Sequence, residues 1–136
     1  MISNKDTENI LREILKNKGF KLNNGPRLHG ELGVDIHAVL NDEIFLIEVI
    51  GYKKSGPARA KDFFEVFFRT ISRITEDMAS LVIAMPLKWE KGLEIRCKKN
   101  YLYAWRRISK AFPELNIWLI DIEKKSIKMT KWEDWN

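Results

Sequence analysis

A chain of 136 residues with 45% hydrophobic content has the size and core material of one ordinary domain, and its single cysteine, Cys97, excludes an internal disulfide and a cysteine-rich zinc site. No apolar run approaches the roughly 20 residues that cross a bilayer, and the start alternates charged with apolar residues where a secretory leader would be apolar, so a cytoplasmic location without membrane contact is expected. The net charge of +5 is uneven, with six basic and eight acidic side chains in residues 1–50 against eighteen and eleven in residues 51–136, a balance that suits either attraction to a polyanion or a plain lysine-rich surface.

Asp6 or Thr7 is expected to cap a first helix in which Ile10, Leu11, Ile14 and Leu15 follow helical spacing and Gly19 closes the end. Phe20-Lys21-Leu22 begins a strand. Asn23-Asn24-Gly25-Pro26 then opens a loop to Gly33, where Arg27 and His29 are candidate substrate contacts. Val34, Ile36, Ala38 and Leu40 alternate with Asp35, His37 and Val39, and Ile44 to Ile50 is apolar except at Glu48. Both read as strands, the second buried on both faces. Asn41-Asp42 between them suits a two-residue hairpin loop, because both residues tolerate positive φ.

If Leu40 pairs with Glu43, Asp35 lies opposite Glu48, with Cβ atoms about 5 Å apart. Two like charges in an apolar sheet push one carboxyl towards protonation unless a cation sits between them. A hydrated magnesium-type ion meets that need; a neighbouring Lys or Arg would also do so. Carboxylates wedged against arginines with no room for solvent would remove the enzymatic reading.

Asp35 on one strand, and thirteen residues later Glu48 on the next with lysines after it, resembles the PD-(D/E)xK nuclease superfamily, closest in pattern to Holliday junction resolvase-type nucleases. Glu8, the amphipathic helix after it and Gly19-Phe20 are similar to the resolvase opening. The resemblance implies an α/β restriction-endonuclease-like fold and a metal-dependent DNA endonuclease of repair, recombination or mobile elements. Glu8, Asp35 and Glu48 would hold one or two Mg²⁺ or Mn²⁺ ions. One departure stands out: the family's lysine, two residues after the glutamate, is here Ile50. Lys53, through a bulge at Gly51, or Lys61 would replace it. The alternative is a degenerate protein that binds DNA or a protein partner without cleavage.

Tyr52 to Lys61 carries Lys53, Lys54, Arg59 and Lys61 and no acid, which makes it the best phosphate-contact stretch. A helix from Lys61 to about Glu76 is apolar nearly all round, so a homodimer could use it as an interface. Arg69 and Arg73, one turn apart on it, could hold a phosphate backbone or pair with Glu65, Glu76 or Asp77. They fall where some nucleases of the superfamily carry a Gln and a Tyr. Ala79–Met85 is a buried strand. Lys88–Lys110 has eight basic residues against Glu90 and Glu94, with Tyr101, Tyr103 and Trp105 interleaved for stacking, and Glu94 to Phe112 should be helical. Leu115–Ile122 and Ser126–Thr130 are paired strands, and Trp132 and Trp135 should seal against the body. The order α-β-β-β-α-β-α-β-β matches that of the nuclease core, in a single domain over residues 1–136 with a mixed sheet flanked by helices. The sequence offers no Gly-rich phosphate loop and no Ser-His-Asp or Cys-His set.

Overall fold

A computed structural model of the chain describes residues 1–24, 33–75 and 79–136; Arg27, His29, Glu76 and Asp77 lie outside them. Helix α1 spans Asn4–Asn17, starting earlier than the apolar spacing suggests. Its cap is Ser3, whose Oγ accepts from the Asp6 N–H at 3.0 Å, and Asp6 falls in the first turn, where its charge favours the helix dipole. Leu11, Ile14 and Leu15 form its buried stripe.

Among the described residues six strands follow: β1 (Lys21–Leu22), β2 (Ile36–Leu40), β3 (Glu43–Val49), β4 (Ser80–Pro86), β5 (Leu115–Asp121) and β6 (Ser126–Lys131). They form one sheet in the order β1-β2-β3-β4-β5-β6. The β3–β4 and β4–β5 pairs are parallel and the others antiparallel. The central hairpin is as expected: Leu40 pairs with Glu43, and Asn41 and Asp42 take φ of 50° and 67°.

Helix α2 spans Gly56–Ile71, not Lys61 to Glu76. Ser55 Oγ accepts from the Ala58 N–H at 3.2 Å and Pro57 occupies the first turn, so the cap sits inside the basic run. The expected Glu94–Phe112 helix is in fact broken. Helix α3 (Glu90–Ile95) passes through a π-helical turn, Arg96–Asn100, into α4 (Leu102–Ala111). Within it, Leu93, Cys97 and Trp105 are all buried.

The sheet is covered on both faces. Alternate residues Phe45, Ile47 and Val49 of β3 pack with α1, whereas Leu46 and Ile50 pack with Phe63 and Val66 of α2 and with Trp89, Trp105 and Trp132. Trp105 and Trp132 stack at 3.7 Å, and each indole N–H donates to the other's carbonyl, at 2.9 and 3.1 Å. Trp105 is therefore core, not a stacking surface. The terminal tryptophans do close the body. The architecture is α/β, a mixed sheet flanked by helices in the order of a restriction-endonuclease-like core. Among the described residues no helix is long and apolar enough to cross a membrane.

Candidate active site

Residues 46, 48 and 50 of the β3 segment point to the α2 side of the sheet, and continuing the β2–β3 register by one pair sets Asp35 against Glu48. Asp35 Oδ2 accepts the Val49 N–H at 2.9 Å, which anchors its carboxylate beside the strand that carries Glu48. The two acids thus come together. Glu48, however, is 0% exposed, and two arginines close over it, Arg69 from α2 and Arg73 from the turn just after that helix. Arg73 Nε donates to Glu48 Oε1 at 2.8 Å, and Arg69 Nε lies 3.5 Å from Oε2. Arg73 also donates to the carbonyl of Gly33, at 2.7 Å. Gly33 sits at φ 116°, a backbone region that L side chains rarely adopt. Among the described residues, Oε2 is buried without a hydrogen-bond partner.

Glu48 is pushed up to about 7, first by burial and then by hydrogen bonding with Asp35 and its charge, against the opposing hydrogen bond of Arg73 and charge of Arg69. A carboxyl with a raised folded-state value binds its proton better when folded. Its contribution is fully present below its ordinary value of 4.5 and is lost as the pH climbs through about 7. Denaturant unfolding should therefore show wild type losing on the order of 3 kcal/mol across that window relative to Glu48→Gln. A flat difference between the two proteins would refute this.

Glu8 pairs within its own helix. Its Oε2 accepts from Arg12 Nε at 2.9 Å, and Arg12 reaches on to the carbonyls of Asn23 and Asp35, each at 2.9 Å. Glu8 thus acts on Asp35 through Arg12, a residue that the sequence reading passed over. Among the described residues no group of three His, Cys, Asp or Glu could hold a metal ion together. Ile50 is 2% exposed and sits in the core, so the position where a lysine was expected is sealed.

The basic stretch divides. Lys53 Nζ is 3.0 Å from Asp62 Oδ1 instead of curling back to Glu48, because Gly51 is clamped beneath the N-terminal segment. Arg59 donates to the carbonyls of Lys53 and Lys54, each at 2.7 Å, and lies over the Tyr52 ring. Lys54 and Lys61 are exposed, the latter 3.9 Å from Glu65. Of the acids expected to pair with Arg69 and Arg73, Glu65 faces Lys61 and Glu76 and Asp77 lie outside the described residues, while Arg73 pairs with Glu48, an acid 25 residues back in the chain. The one sequence signal for it was the helical spacing that puts Arg73 on the stripe of Val66 and Thr70, facing the sheet.

No protein-family model and no curated protein matches the chain. Two solved structures resemble it. An fdxN element excision controlling factor protein from Anabaena variabilis has a TM-score of 0.60 at 18% identity, over 93% of this chain and 98% of that one. An XisH family protein from Nostoc punctiforme has a TM-score of 0.59 at 18% identity, over 93% and 99%. At that identity the likeness establishes that this chain has their fold.

Proposed function

We propose that the protein binds nucleic acid on a nuclease-like fold whose acidic pair is neutralised by arginines, and that it does not cut the strand. The carrying observation is the fully buried Glu48 held between Arg73 and Arg69, with Ile50 packed in the core beside it. A hydrated divalent ion needs accessible carboxylate oxygens and room for its waters. The residues as placed suit two guanidinium groups better than such an ion. The exposed Lys54 and Lys61 and the partly exposed Arg69 would supply the phosphate attraction. A part in excision control, of the kind named for the neighbour from Anabaena variabilis, agrees with a nucleic-acid ligand.

One observation favours a second reading, a Mg²⁺- or Mn²⁺-dependent DNA endonuclease. Glu48, set opposite Asp35, has an Oε2 with no hydrogen-bond partner among the described residues. Arg69 and Arg73 would first have to leave it, and Lys53 or Lys61 would have to approach.

The test uses purified protein, branched and plain duplex DNA, and either metal, beside an Asp35→Ala variant. Retarded mobility without cleavage is expected, with affinity falling on a log–log salt plot by about 0.9 per phosphate neutralised. Cleavage that Asp35→Ala abolishes would establish the second reading. Absence of any salt-sensitive binding would overturn both.

A further inference from the structure

The face of α2 away from the sheet carries an aromatic patch that the acid–arginine site leaves unexplained. Phe64 and Phe68 lie one turn apart and are 50% and 69% exposed. With Arg69 they line an open groove. The Phe64 ring meets Tyr101 at 6.1 Å between centroids, carrying the patch onto the turn that bears the exposed Lys98 and Lys99. Tyr103, 78% exposed, stands on the outward side of α4, where Arg106, Arg107 and Lys110 follow at helical spacing. No acid occurs from Arg96 to Pro113. The acid in the groove itself, Glu65, faces Lys61.

From this arrangement we infer that the patch is a stacking platform for unpaired nucleotides, so that the ligand is single-stranded nucleic acid or the unpaired part of a branched one. This rests on the nucleic-acid reading above and narrows it. Large rings left in water are unfavourable unless a partner covers them. Bases in a duplex already stack on each other and cannot lie on a surface ring, whereas unpaired bases can, and adjacent cations hold their phosphates. A second copy of the chain would fit poorly, because a two-fold contact would bring two patches together that both carry the cations Arg69, Lys98 and Lys99.

Fluorescence anisotropy with a labelled oligothymidine, and with a duplex of the same length, tests this on wild type and on a Phe68→Ala, Tyr103→Ala double variant. Both side chains are exposed, so the variant should unfold at the wild-type midpoint. The single strand should bind more tightly than the duplex. The double variant should lose about tenfold or more on the single strand, with duplex binding unchanged. If both probes bind and the variant weakens neither, the platform is overturned while nucleic-acid binding stands. If neither probe binds at low salt, both readings fall. If the variant turns a sedimenting dimer into a monomer without loss of single-strand affinity, the patch is an interface between copies and the inference is wrong.

Discussion

Replacing Arg73 with methionine is expected to destabilise the protein by about 3 kcal/mol near pH 8, and by less than about 1 kcal/mol near pH 5. The pH dependence follows from Glu48. Above its folded-state value of about 7 the carboxylate is charged, fully buried and dependent on the 2.8 Å bond from Arg73. Removing the guanidinium leaves that charge to Arg69 at 3.5 Å, which is itself partly exposed. Below that value the carboxyl is neutral in wild type and variant alike, so only the hydrogen bonds to Glu48 and to the Gly33 carbonyl are lost. Urea titrations at the two pH values measure the difference. An equal cost at both would mean that Arg73 acts through packing alone. An Arg73→Met protein that gained Mg²⁺-dependent cleavage would show that the arginine occupies a working metal position.

Gly51→Ala should cost about 3 kcal/mol through a different cause. A Cβ on Gly51 would stand 2.0 Å from Ile2 O, 2.7 Å from Ser3 C and 2.9 Å from Asn4 N. All three are backbone atoms, so no side chain can swing aside. The N-terminal segment is fixed there by the Ile2–Tyr52 bridge and by Asn4 Oδ1, which accepts the Gly51 N–H at 2.7 Å. Gly56→Ala is the control, with its nearest neighbour the Arg59 guanidinium at 3.9 Å, and should change stability by less than about 1 kcal/mol. Chemical denaturation reads both, and equal midpoints for the two variants would refute the close contact.

How much of this was legible in the sequence depended on distance along the chain. The hairpin was, because Asn41-Asp42 and the alternation around it set turn and register locally, and from that register the meeting of Asp35 with Glu48 followed. The order of helices and strands was legible for the same reason. The helix starts were misplaced because Ser3 and Ser55 cap from within charged stretches that carry no apolar rhythm. The site's electrostatics were not legible. Arg73 finds Glu48, and Arg12 finds the Asp35 carbonyl, only after α2 and α1 dock on opposite faces of the sheet. Trp105 looked like a surface ring because its partner, Trp132, is 27 residues away.

The sheet's spatial order equals its order in the chain, which bears on how the protein is made. Each newly synthesised strand can be laid against the growing edge as it leaves the ribosome, and none has to be inserted between two that are already joined. The two outer margins are then the two-residue β1 and the lysine-bearing β6, each a poor template for a neighbouring chain in a crowded cell.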